Sequence, residues 1–148
     1  YPIKINDAID RISICYQDLL IDTIQKITSN TIKAIPQDES QASFSLWRDE
    51  EDYNIDWTLD ASQLVRTINA VGFPYGGART KMEDSIIILD EVTKVLDVKI
   101  ENRTPGKIIF LENNQPTIVC GKGLIKIEKA HYLNNNEVIF NKFRTRLK

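Results

Sequence analysis

The sequence predicts an α+β fold, with helical segments first and a small antiparallel β-barrel after them. Three observations carry this. Residues 9–27 place apolar side chains three and four positions apart; residues 60–71 do so again behind Asp60 and Gln63; and from Lys81 the pattern changes to short β-branched runs separated by turn residues.

Taken in order, Ile3–Ile5 reads as a short strand, and Asn6 or Asp7 as the cap of a helix. Its buried stripe is Ile9, Ile12, Tyr16, Leu19, Leu20, Thr23, Ile24 and Ile27. The run "TSNTIKAIPQDESQAS" has no periodicity and contains Pro36, so it should cross the surface as an extended connector. Four consecutive carboxylates, Asp49 to Asp52, follow between aromatic residues. Without alternating ligands and a central Gly they read as a solvated loop, not a hard-metal site.

Asp60 with Gln63 has the form of a capping box, and Ala61, Leu64, Val65, Ile68 and Val71 form the inner face of a helix of about three turns. Gly72 stops it and Pro74 prevents its continuation. "SIIILDEVTKVLDVKI" supplies one long strand or two short ones; "KIIFL" and "TIVC" are strands joined by "ENNQP"; "GKG" at 121–123 turns into "LIKIEKA". Strands of this length and spacing suggest a barrel of the oligonucleotide/oligosaccharide-binding (OB) type. The basic end "NKFRTRLK" is expected to be a last helix or an ordered tail.

Composition narrows the chemistry. No apolar run approaches the roughly 20 residues needed to span a bilayer. Nineteen basic and 21 acidic side chains give a net charge of −2, a poor footprint for holding many phosphates, so a dedicated nucleic-acid binder is disfavoured. Cys15 and Cys120 lie in apolar segments far apart and read as two buried thiols of a reducing cytoplasm. The start lacks a secretory pattern and an initiating Met, which suggests a piece cut from a longer polypeptide.

Catalytic groups are scarce. His131 is the only histidine and reads as a lone surface residue beyond the last strand. Metal-ligand spacings and a nucleophile elbow are absent from the sequence. "GKG" and "YGGA" read as turns that need positive φ, not phosphate loops.

The order of several weak motifs says more than any one of them. Pro36, Gln37, Ala42 and Ser43 in the connector are followed by Arg48, Asp52, Ile55, Asp56 and Trp57. Ala70, Pro74, Tyr75, Gly77 and Ala78 then mark the turn, before Pro105 and Gly106, and Cys120, Gly121, Gly123 and Leu124 in the barrel. In this order the residues resemble the C-terminal part of the tetrahydrofolate-dependent formyltransferases, the family of the methionyl-tRNA formyltransferases and the nucleotide-sugar N-formyltransferases.

The resemblance implies that residues 1–35 are the last strand and helix of a Rossmann-like catalytic domain. Residues 36–54 would be a connector, and 55–148 the C-terminal domain of helix, OB-like barrel and basic tail. The complete enzyme would move a formyl group from N10-formyltetrahydrofolate to an amine. The family's Asn, His and Asp have no counterpart here, so this chain alone should be silent and hold no cofactor or metal.

The net charge and the Phe-Pro-Tyr turn favour a nucleotide-linked amino sugar as acceptor, in a cytoplasmic homodimer, with tRNA as the alternative. Asn69 stands where many relatives have Arg. A stand-alone OB-type binding module is the reading from a different class, and a strand edge such as "KIIFL" could pair across a two-fold axis. Trp57, Phe73 and Tyr75 are the candidates for a substrate cleft, each weighed against a plain packing role.

Overall fold

The computed structural model describes residues 3–148, leaving Tyr1 and Pro2 outside the described residues. Helix α1 spans Ile5–Thr28. Ile3 and Lys4 precede it without regular structure, so the strand expected at Ile3–Ile5 is absent. Lys4 occupies the N-cap without a side-chain bond, so neither Asn6 nor Asp7 caps the helix. The C-terminus closes in a Schellman motif: Asn30 takes a left-handed φ of 54°, its N–H donates to Ile27 O, and Thr31 N–H donates to Lys26 O at 2.9 Å.

No residue of α1 is buried. The apolar stripe that predicted the helix lies open, with Tyr16 at 66% and Leu20 at 61% exposure, and Cys15 is exposed with it. Periodicity reports that a face is made to be covered; it does not say by what. Among the described residues the N-cap of α1 is tied to the barrel, through Lys4 Nζ and Glu91 Oε1 at 3.2 Å.

The connector has no regular structure except for 3₁₀ turns at Glu39–Gln41 and Glu51–Tyr53. The acidic tract builds the second of these: Asp49 Oδ1 accepts from Glu51 N–H at 2.9 Å, and Asp52 Oδ2 accepts from Asp49 N–H at 3.0 Å. Glu50 pairs with Arg79, whose guanidinium also lies 5.3 Å from the centroid of the Tyr53 ring.

Helix α2, Ala61–Val71, is capped by Asp60, whose carboxylate accepts from Ser62 N–H at 2.7 Å. Its buried face is Ala61, Leu64, Ile68 and Val71, with Val65 half-buried at the edge. Five antiparallel strands follow: β1 (Ala78–Met82), β2 (Ser85–Val95), β3 (Ile108–Glu112), β4 (Gln115–Val119) and β5 (Leu124–Tyr132), in the order β1-β2-β5-β4-β3. Asn113 and Asn114, both at positive φ, make the two-residue β3–β4 turn.

The basic tail joins the two ends of the sheet. Lys81 and Lys148 exchange both backbone hydrogen bonds on the β1 side, while Leu147 N–H donates to Gly106 O and Ile108 N–H to Thr145 O on the β3 side. This turns an open sheet into a barrel and occupies the start of the β3 edge that was expected to pair across a two-fold axis. The core lies between α2 and the inner barrel face, including Leu64, Ile68, Ile87, Leu89, Ile118, Ile125, Ile127 and Leu147.

Carboxylates brace the corner where α2 starts. Hydrogen bonds from the Thr58 hydroxyl and N–H hold Asp56 below the usual carboxyl range, and the Ser62 N–H does so for Asp60. Asp97 is held down by Arg103 and by the Gly123 N–H. Because these groups are depressed in the folded state, the unfolded chain binds more protons; their stabilisation is present above the ordinary carboxyl pKa of 3.8 and is lost as pH falls through the folded values. The melting temperature should therefore fall below about pH 4, and Asp97→Asn should reduce that acid sensitivity; an unchanged pH profile in the variant would refute this.

Candidate functional site

A cleft of about 370 Å³ opens where the start of α1, the end of α2 and its following turn meet β2 and β5. Local sequence explains its walls. After α2, Gly77 N–H donates to Val71 O at 2.8 Å and Tyr75 N–H to Gly72 O at 2.9 Å, which folds Phe73–Gly76 back over the helix end. Gly77 has φ +76°, and a Cβ there would lie 2.5 Å from Ile88 Cγ2, so this turn requires Gly at that point. Gly72 itself has φ −64°. The Phe73–Pro74 peptide is cis.

The structure divides the three aromatic candidates. Phe73 and Tyr75 line the cleft and are 78% and 53% exposed. Trp57 is 4% exposed in the core, and its Nε1–H donates to Thr80 Oγ1 at 2.9 Å, so its place is a pin between the pre-helix segment and β1.

The same cleft is lined by a pair that sequence reading missed. β5 continues to Tyr132, which puts His131 inside a strand, and His131 Nδ1 lies 2.7 Å from Asp90 Oδ2. Asp90 falls at a bulge: the register with β5 shifts between Leu89 and Glu91, leaving Asp90 without a ladder partner and turning its carboxylate toward the imidazole. The two residues are 41 apart in sequence, so only the strand register could have joined them. Asn69, from the last turn of α2, completes the polar lining.

A second surface is electrostatic. A groove of about 540 Å³ is lined by Lys142, Phe143, Arg144, Arg146 and Lys148, with Glu83 paired to Lys142 at its edge. Residues 121–148 carry seven Lys and Arg against two Asp and Glu, whereas residues 1–60 carry five against twelve. The net charge of −2 thus conceals a strong separation of sign.

Cys120 is buried, and desolvation pushes its thiol up to about 12, which makes it inert. Among the described residues no three His, Cys, Asp or Glu side chains group as a metal site, and no helix is long and apolar enough to cross a membrane.

Comparison with known proteins gives this geometry a family. A methionyl-tRNA formyltransferase of Clostridium botulinum (strain Alaska E43 / Type E3) is 31% identical over 129 residues, covering 85% of this chain and 40% of the relative. One from Streptococcus agalactiae serotype III (strain NEM316) is 29% identical over 127 residues, covering 86% of this chain and 39% of the relative. The chain thus spans about two fifths of the length of these relatives. Among solved structures, HypX from Aquifex aeolicus in complex with tetrahydrofolic acid superposes with a TM-score of 0.58 at 16% identity, over 82% of this chain and 21% of that one. Residues 48–145 match the family described as "Formyl transferase, C-terminal domain", two thirds of the chain, and the protein belongs to that family.

Proposed function

We propose that this chain is the C-terminal part of an enzyme that transfers a formyl group from N10-formyltetrahydrofolate to the amino group of methionyl-tRNA. The observation that carries the acceptor is the identity of the relatives, which are named methionyl-tRNA formyltransferases and align over most of this chain. The tetrahydrofolic acid in HypX supports folate as the donor. The nucleotide-linked amino sugar expected from overall charge finds no support among these relatives. The charge argument behind it fails too, because 12 of the 21 acidic residues sit in the first 60 positions while the barrel's end is basic.

In this reading residues 1–35 complete a catalytic domain, which would cover the open apolar face of α1 and hold the formyl-transfer residues. The chain by itself would then be inactive. The basic groove at residues 142–148 supplies phosphate contacts. The full-length enzyme, given N10-formyltetrahydrofolate, should formylate methionyl-tRNA and leave nucleotide-linked amino sugars unmodified; turnover of the sugar alone would overturn the assignment. Arg144→Glu should raise KM for methionyl-tRNA several-fold with kcat little changed, since it reverses a charge in the lining of the basic groove.

A further inference from the structure

The cleft between α1, α2 and the barrel carries chemistry that the reading above does not use. Three features converge on it. The exposed rings of Phe73 and Tyr75 form an apolar wall on a turn fixed by backbone hydrogen bonds. In the same lining, Asp90 engages His131 Nδ1, so in the neutral ring Nδ1 carries the proton and Nε2, which has no partner among the described residues, is a hydrogen-bond acceptor. Asn69 adds an amide that offers a donor and an acceptor together and makes no side-chain hydrogen bond among the described residues.

The cleft has the wrong charge for a phosphate. Lys4, its one ammonium, is tied to Glu91, while Asp7 and Asp90 contribute carboxylates. Flat rings, a paired amide donor and acceptor, and an imidazole acceptor fit a neutral heteroaromatic ligand with an exocyclic amine. Adenine matches this set, since an amide pairs with its N6 and N7 and its ring stacks on aromatic side chains. Neighbouring carboxylates accept hydrogen bonds from ribose hydroxyls. We propose that this cleft binds a purine nucleoside, with the base against Phe73 and Tyr75 and the polar edge read by Asn69 and the His131–Asp90 pair. That the nucleoside is the end of an RNA acceptor rests on the reading above; affinity for the free nucleoside does not.

His131 is the only histidine of the chain, so its ring protons give a single reporter in an NMR titration. Adenosine added to the 148-residue chain should shift the His131 and Tyr75 ring signals saturably, with half-saturation at or below about 5 mM for a ligand of this size. Inosine, which lacks the amine, should bind more weakly. Tyr75→Ala and Asn69→Ala should each raise half-saturation by about tenfold while the far-ultraviolet circular dichroism stays that of the parent chain.

A short single-stranded RNA ending in adenosine that competes at lower concentration than adenosine identifies the RNA end as the ligand; adenosine binding without such competition identifies a free nucleoside. Absence of a saturable shift, or equal half-saturation in Tyr75→Ala, overturns the proposal. Its failure with methionyl-tRNA formylation intact leaves the proposed function standing, and the reverse result removes that function while leaving the cleft.

Discussion

Gly121→Ala should abolish the native fold or cost more than about 3 kcal/mol. Gly121 lies in the connection between β4 and β5, where its N–H donates to both Trp57 O and Leu59 O at 2.9 and 3.1 Å. One residue on, Lys122 O accepts the N–H of Ala61 and so satisfies the first turn of α2. A Cβ on Gly121 would lie 1.7 Å from Thr58 O, a backbone atom that cannot rotate away. The strand connection would have to retreat, and the hydrogen bonds that seat α2 on the barrel would break with it, each worth about 1 kcal/mol net.

Gly72→Ala is the control. Its Cβ would meet Ile68 O at an ordinary 3.6 Å and its φ is negative, so that change should be neutral or stabilising by up to about 1 kcal/mol. Urea denaturation of both variants measures the difference, and equal midpoints would refute the role given to Gly121.

The same glycine shows what was legible in the sequence. "GKG" was readable as a turn, and Gly123 does take φ +80°, but the need for Gly121 comes from a chain segment 63 residues away and has no local signature. Elements with strong periodicity were recoverable: α2, the long β2 and the β3–β4 hairpin follow from apolar spacing and the Asn pair.

β1, "ARTKM", was invisible because its outward positions are charged and it has only five residues. Its partners supply what its own pattern lacks: β2 on one edge and the tail at Lys148 on the other. The candidate site was legible in its aromatic half, where Phe73 and Tyr75 sit on a Pro-Gly turn, and hidden in its polar half. Asp90 and His131 meet only through a bulge in a long-range strand pair, and no composition or spacing rule encodes that. Trp57 looked equivalent to the other two aromatics because sequence shows ring chemistry but not which ring is 4% exposed.

Leu147→Ala should lower stability by about 2–5 kcal/mol, a large effect for the penultimate residue of a basic tail. The side chain is 1% exposed and belongs to the central core. Its backbone bridges Met82 of β1, and its N–H reaches Gly106 O before β3, so the residue holds both margins of the sheet while filling the space between them. Truncation leaves those backbone bonds available but opens a cavity at the seam, where strands are joined by single bridges in place of a continuous ladder. The barrel should therefore open from this seam, and amide exchange at Lys81 and Ile108 should accelerate ahead of that in β5. Leu46→Ala offers the comparison: at 94% exposure in the connector its loss should change stability by less than about 0.5 kcal/mol. Equal denaturation midpoints for Leu147→Ala and Leu46→Ala would show that the tail rests on the barrel without closing it.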